Sequence, residues 1–191
     1  MSNDVIVFGV GHSGTSLLTK MLHTLGWKAN DADESFVESE GLRAINRDII
    51  ANGYSPDHSE SQIKFIASLG RPFALKDPRL VETLPHWIAS FEAAGLQPTL
   101  LMIERDRDAL AQSYLDRKEM VGTQPGTRQK TLSELIELAS RAFARWPHSK
   151  MVIQYENLVQ AALLVKENRS MRRSGGLWLD DQSQIASSEV S

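Results

Sequence analysis

Short apolar runs and amphipathic stretches alternate along most of this chain. Residues 5–8 are continuously apolar and mostly β-branched, which is typical of a strand buried on both faces of a parallel sheet. Over residues 17–25 the apolar positions recur at helical spacing, and we expect Gly26 to end that helix. Further strands are predicted at residues 73–76, 99–103 and 151–154, further helices at 41–51, 59–69, 80–94, 108–118 and 132–146, and loops at 30–40 and 120–130. This alternation predicts an α/β fold with three layers and a mainly parallel sheet.

Local sequence signals mark the boundaries of two helices and the end of the domain. Asp108 is a candidate N-cap for the helix that begins there, and Pro85 either bends the helix at 80–94 or marks its start. Beyond residue 168 the sequence becomes basic and then rich in serine and glycine. We therefore expect one α/β domain over residues 1–168 and a poorly ordered tail over 169–191.

The composition and net charge exclude several classes of protein. The 191 residues are 41% hydrophobic and 24% charged, as in ordinary globular proteins, and the net charge of −3 gives no overall attraction to nucleic acid. Cysteine is absent, which excludes disulfides and thiolate chemistry. The first residues lack a basic signal-peptide start, and no apolar run approaches the ~20 residues that cross a bilayer. We therefore expect a soluble, cytoplasmic protein without a membrane span.

The turn after the first strand fits more than one nucleotide-binding motif. Residues 9–14 read G-x-G-x-x-G, but the second strand that a dinucleotide fingerprint needs is poor here, although Asp31 supplies an acid. At the spacing of a Walker A motif Gly9, Gly14 and Ser16 fit. Thr15, however, stands where that motif has the lysine that reaches the β- and γ-phosphates. Ordinary ATP or GTP hydrolysis is therefore disfavoured.

The geometry of the turn still predicts an anion site. Backbone N–H groups at a helix N-terminus attract anions, and the hydroxyls of Ser13, Thr15 and Ser16 would add to them. A second element comes after the strand at 99–103, where α/β sheets bind their ligands. Arg105 stands at that strand end and Ser113 follows about two helical turns later, so both side chains can face one anion. A tight turn without a ligand is the simpler alternative.

These segments together resemble the sulfotransferases that use 3′-phosphoadenosine 5′-phosphosulfate (PAPS). Residues 11–16, GHSGTS, are similar to their 5′-phosphosulfate loop, in which Lys or Arg precedes Ser-Gly-Thr and Thr or Ser. Arg105 followed by Ser113 is similar to their 3′-phosphate site. Residues 75–79, LKDPR, and 154–158, QYENL, resemble segments of bacterial members. The resemblance covers about residues 5–158.

The resemblance implies a P-loop NTPase-like fold and the transfer of a sulfonate from PAPS to a hydroxyl or amine, with PAP as the product. It implies that PAPS is held by Gly11, His12, Ser13, Gly14, Thr15, Ser16, Arg105 and Ser113. His12 replaces the usual Lys or Arg beside the sulfonate, and the family's late Gly-rich basic loop is not evident. The acceptor is expected to be a small molecule or a glycan, and the sequence does not indicate the oligomeric state.

Transfer to an acceptor hydroxyl needs a general base. Glu38 is the first candidate, with Glu34 and Asp33 next, although acids in this stretch are more often a solvated loop. Lys76 is expected to supply charge near the sulfonate or the acceptor, together with Arg79.

His12 is the rival to these carboxylates, because a histidine could bind the sulfonate or serve as an acid. No metal is required for this chemistry, and no His or carboxylate cluster has metal-ligand spacing. Two other functions stay open, an ATP-dependent kinase of small molecules or nucleotides, and a non-catalytic nucleotide-binding or truncated domain.

Overall fold

The computed structural model describes residues 3–28, 38–116 and 130–174, with side chains described up to residue 164. The strands are β1 (Val5–Phe8), β2 (Ala74–Lys76), β3 (Thr99–Glu104) and β4 (Lys150–Gln154). The helices are α1 (Thr15–Thr24), α2 (Glu40–Asn52), α3 (Pro56–Ser68), α4 (Leu80–Ala93), α5 (Arg107–Asp116), α6 (Leu132–Arg145) and α7 (Tyr155–Ser174). The chain divides into two compact units, Met1–Tyr155 and Glu156–Ser191, and the sheet belongs to the first of them.

The four strands form one parallel sheet in the order β2-β1-β3-β4. β1 lies between β2 and β3, and Val7 is in register with Lys76 on one side and Leu101 on the other. Parallel strands end at the same edge of a sheet, so the segments after β1, β2 and β3 start side by side. The predicted α/β fold with a parallel sheet is confirmed.

Helices cover both faces of the sheet. Ile6 and Phe8 of β1 belong to a core cluster that includes Trp87 and Phe91 of α4 and Trp146 after α6. Side chains alternate between the two faces along a strand, so the neighbouring β1 residues Val5 and Val7 point to the opposite face. α1 contacts β1 and β2, and its Leu18 and Leu22 are buried outside that cluster. The arrangement is the predicted helix–sheet–helix sandwich.

Two predicted helix starts differ from the structure. The N-cap of α5 is Asp106 and not Asp108, because the Asp106 carboxylate accepts from the N–H of Asp108 at 3.1 Å and of Ala109 at 2.9 Å. Helix α3 starts at Pro56, before the predicted residue 59, because Ser55 and His58 form a capping box around that proline. Both differences come from the choice between neighbouring capping residues.

The interior of α4 contains Pro85, which therefore does not mark the start of that helix. The other confirmed strands and helices lie within a few residues of their predicted bounds. α7 was not predicted, since its apolar residues form no narrow stripe, and it extends past residue 168 to Ser174. Most of the predicted loops at 30–40 and 120–130, and the tail beyond 174, lie outside the described residues. Within the described ranges, no helix combines the length and the apolar character that a membrane span needs.

An aromatic stack joins the end of α2 to α4. The ring of Tyr54 stacks on His86 at a centroid distance of 4.5 Å and on His58 at 5.9 Å. His58 also contacts the Asp48 carboxylate, with 2.9 Å between Nε2 and Oδ2. Burial of the imidazole, and then the electrostatic effect of His58, lower the pKa of His86.

This stack predicts that acid weakens the fold. Since the pKa of His86 is lowered in the folded chain, the unfolded chain binds more protons as the pH falls below about 6.5, and the free energy of unfolding then decreases. His86→Phe keeps a ring on Tyr54 but does not titrate, so it should lose part of this decrease. Urea unfolding at pH 7 and at pH 5.5 measures it, and an equal pH dependence in both proteins would exclude His86 as the cause.

Candidate functional site

The segment of residues 9–16 contains the turn between β1 and α1 and the first two residues of α1. It lies at the edge of the sheet where β1 ends, and we name it the phosphate loop. Helix α1 begins at Thr15, and the carbonyl of Gly14 accepts from the N–H of Leu17 at 3.0 Å and of Leu18 at 3.2 Å. The N–H groups of Thr15 and Ser16 have no acceptor among the residues that the structure describes. Unpaired N–H groups at a helix start carry partial positive charge, which is what an anion site requires.

Ser13 contributes a buried hydroxyl to this loop. The residue is 2% exposed, and its Oγ has no hydrogen-bond partner in the described part of the chain. Buried polar atoms in proteins are nearly always paired, so an orphan hydroxyl is unusual and marks this loop as a candidate site. The contribution of the Ser13 hydroxyl to an anion site stays a prediction.

Two tyrosines that the sequence did not single out pack on the loop. A Cβ on Gly11 would lie 2.8 Å from Tyr114 Oη, and the Tyr114 ring contacts the His12 ring edge-on at 4.5 Å. On the other side, a Cβ on Gly14 would lie 2.5 Å from the Tyr155 ring. Tyr114 is the residue after the candidate Ser113, and Tyr155 lies within the QYENL segment already identified. Their contacts through space were not predictable from spacing.

Arg105 reaches the loop from the end of β3. Its Nη1 donates to the carbonyl of His12 at 3.0 Å, and its guanidinium lies over the Tyr155 ring at 4.5 Å. Its Nε is buried and has no partner within the described ranges. Ser113 is half-buried on α5, beside Tyr114, and no hydrogen bond joins it to Arg105 in the described part. The structure thus brings Arg105 to the phosphate loop but does not link it directly to Ser113.

Glu38 lies between two cations just before α2. Lys76 ends β2 and donates from Nζ to Glu38 Oε1 at 2.8 Å, while Arg79 Nη1 is 3.6 Å from Glu38 Oε2. The side chains of Lys76 and Glu38 are only 4% and 12% exposed. Glu38 is therefore a paired, largely buried carboxylate and not a solvated loop residue. The alternative bases Glu34 and Asp33 lie outside the described residues.

The turn at residues 76–79 is built around Asp77. Asp77 Oδ1 accepts from the N–H and from Nη1 of Arg79, each at 2.9 Å. The sequence left open whether this turn is a structural Asp–Arg pair or a source of charge for a ligand. It contains the pair, and its Lys76 and Arg79 also face Glu38.

These groups can hold an anion and offer it a nearby carboxylate. The phosphate loop follows β1, Lys76 is the last residue of β2, and Arg105 follows β3. All three therefore lie at one edge of the sheet. In the described ranges, no group of three or more His, Cys, Asp or Glu side chains is arranged to hold a metal ion. The assignment of individual residues to a sulfonate, a phosphate or a proton stays a prediction.

Comparisons with known proteins give no family for this chain. No family model and no curated protein matches it. A sugar kinase from a Janibacter species is 14% identical with a TM-score of 0.44, covering 87% of this chain and 95% of the kinase. A protein from Chloroflexus aurantiacus described as a kinase candidate is 16% identical with a TM-score of 0.43, covering 92% of this chain and 99% of its own. These values are too low to assign an activity.

The contact between Gly14 and Tyr155 predicts a sharp steric limit. Gly14→Ala places a Cβ against the Tyr155 ring at a φ of 105°, and should destabilise the fold by about 2–4 kcal/mol. Gly26→Ala is the matched control, because Gly26 has a φ of 108° with nothing within 4 Å of the added Cβ. It should cost only about 1–2 kcal/mol of backbone strain. Chemical denaturation measures both, and equal losses would show that the Tyr155 contact does not limit residue 14.

Proposed function

We propose that this chain is a group-transfer enzyme that binds a nucleotide donor at the phosphate loop and an acceptor beside Glu38. We further propose that the donor is PAPS and that a sulfonate passes to a hydroxyl or amine of a small molecule or glycan. One observation carries the proposal. The loop has Thr15 in place of the Walker lysine, while an arginine from β3 contacts the loop backbone at 3.0 Å.

The proposed roles follow the positions of the charges. Residues 11–16 surround the 5′-phosphosulfate with N–H groups and hydroxyls, and Arg105 with Ser113 holds the 3′-phosphate. The acceptor oxygen attacks sulfur, the bond from sulfur to the bridging oxygen breaks, and PAP leaves with that electron pair. Glu38 takes the acceptor's proton on a lone pair not engaged by Lys76, and Lys76 offers its charge to the transferring sulfonate. His12 is the alternative group for the sulfonate.

An ATP-dependent kinase is the second candidate. The observation that favours it is Lys76, whose strand lies next to β1 and which could supply the charge that Thr15 lacks. A phosphoryl donor would use the same loop and the same carboxylate, so the two functions differ first in which nucleotide binds. A non-catalytic nucleotide-binding domain would bind donor and product without turnover.

Nucleotide choice is the first test of this proposal. PAP should bind more tightly than 5′-AMP and ADP, because Arg105 would pair with the 3′-phosphate that only PAP carries. Arg105→Ala should weaken PAP binding by about 2–3 kcal/mol, the scale of a lost charge-assisted hydrogen bond, and leave 5′-AMP nearly unchanged. Isothermal titration calorimetry measures both ligands.

The matched control is Arg107→Ala, which removes an exposed arginine two residues away. It should leave the affinity for PAP unchanged. Equal affinities of the native protein for PAP and 5′-AMP would rule out a 3′-phosphate site. Tighter binding of ADP and ATP than of PAP would instead favour the kinase.

The second test separates proton transfer from sulfonate binding. Glu38→Gln keeps the shape and an acceptor for Lys76, but it removes the base and the negative charge paired with the buried Lys76, so PAP release from PAPS with hydroxyl acceptors should slow by on the order of 10²–10⁴. PAP affinity should hardly change. His12→Gln should instead weaken PAPS binding or turnover and spare PAP. Full turnover by the Glu38→Gln enzyme would remove Glu38 from the mechanism.

A further inference from the structure

A chain of hydrogen bonds runs from the core of the fold to Arg79, whose guanidinium forms an ion pair with Glu38, and the proposed mechanism does not use the inner part of this chain. It starts on α4, where Trp87 Nε1 donates to Asn46 Oδ1 at 2.9 Å and Thr83 Oγ1 donates to the same oxygen at 2.8 Å. Asn46 lies on α2 and is fully buried, as is Trp87. Two helices are thus joined by one amide.

The orientation of the Asn46 amide is fixed by its partners. The indole N–H of Trp87 can only donate, so the atom facing it must be the amide oxygen. The amide nitrogen then points to Asp77 and donates to Asp77 Oδ2 at 2.9 Å. Asn46 therefore converts two donors on α4 into one donor aimed at the turn after β2.

Asp77 connects the Asn46 amide to Arg79. Its side chain is completely buried, with Oδ2 held by Asn46 and Oδ1 holding both the backbone and the guanidinium of Arg79. Arg79 Nη1 then lies 3.6 Å from Glu38 Oε2. Asp77 therefore lies between Asn46 and Arg79, and we expect a displacement at Asn46 to move Arg79 relative to the Glu38 carboxylate.

We propose that Asn46 is a positioning residue for the carboxylate that receives the acceptor's proton. The inference rests on the proposed function for Glu38, and it adds that the rate depends on the donor N–H of Asn46. An apolar residue would fill the same space, but it could neither accept from Trp87 nor donate to Asp77, whereas the Asn46 amide does both at every pH. A displacement of about 1 Å at a reacting group can cost on the order of 10²-fold in rate.

The substitution Asn46→Asp tests the hydrogen bond that the Asn46 amide N–H donates to Asp77. The variant keeps the size of the side chain and the oxygen that accepts from Trp87 and Thr83, but it faces Asp77 with a second carboxyl oxygen. Two such oxygens at hydrogen-bond distance need a shared proton, which they hold at low pH and lose as the pH rises. The link to Arg79 is then intact at low pH and broken at high pH.

The first readout is PAP release from PAPS across a pH series, expressed as the ratio of variant to native rate. We expect the ratio to fall to on the order of 10⁻² at alkaline pH and to rise towards one as the pH falls, with PAP affinity changed by less than about twofold. A ratio that does not vary with pH would overturn the proposal. So would an unchanged rate.

Ser90→Ala is the matched control. It removes a hydrogen bond to Gln62 that is equally buried and lies on the same helix as Trp87, outside the chain to Glu38. It should lower the free energy of unfolding without any pH-dependent effect on rate. If Asn46→Asp behaves like Ser90→Ala, Asn46 has only a structural role and the proposal is wrong.

The second readout needs no nucleotide and separates this inference from the proposed function. The side-chain N–H signals of Arg79 and Lys76 are followed by NMR in the protein alone. In Asn46→Asp they should shift with pH as the shared proton is lost, and in Ser90→Ala they should not. Native protein that binds neither PAP nor PAPS would overturn the proposed function; unchanged Arg79 signals in Asn46→Asp would overturn the coupling.

Discussion

The burial of Lys76 is the constraint on which the rest of the site depends. An ammonium group that is 4% exposed is costly to keep charged unless a carboxylate pairs with it, and Glu38 does so at 2.8 Å. Because Lys76 ends β2, Glu38 is held at the carboxyl edge of the sheet. Helix α2 begins two residues later, so its first turn is held there as well. One ion pair therefore fixes both a candidate base and the start of a helix.

The order of the strands places two cationic side chains beside a loop that has no lysine of its own. β1 lies between β2 and β3, so the loop after β1 has neighbours on both sides. Lys76 comes from one of them and Arg105 from the other. A Walker lysine would carry its charge on the loop itself, whereas here the flanking strands bring the charges to the same edge. The loop can consequently be made of glycines and hydroxyls.

The fold was largely predictable from sequence because its signals are local. Short apolar runs predicted the strands, and Gly26 predicted the end of α1, which ends at Thr24. Where two acids compete to cap a helix, as Asp106 and Asp108 do, spacing cannot choose between them, because the outcome depends on which carboxylate meets the free N–H groups.

The site was predictable only in part, because many of its contacts are made through space. Arg105 was expected at a strand end, and it lies there against the loop. The packing of Tyr114 on Gly11 and of Tyr155 on Gly14 depends on how α5 and the end of β4 approach the loop, and no motif encodes that approach. By helical spacing Asn46 lies on the same face of α2 as Leu42 and Ile49, so the sequence could indicate its burial. Its partners Trp87 and Asp77 are distant along the chain, and no motif indicates them.

The distribution of charge also bears on which donor the proposed site would favour. Lys76 and Arg79 face the carboxylates of Glu38 and Asp77, so that cluster is balanced. Arg105 differs, because its described partners are a carbonyl and an aromatic ring, which leave its full charge available to a ligand. Kinases usually bind a triphosphate with a metal ion and a loop lysine, and Thr15 stands at the position of that lysine here. In the proposed function the phosphosulfate group of PAPS carries less charge than a triphosphate group, and the separate 3′-phosphate on the ribose would give Arg105 a defined partner.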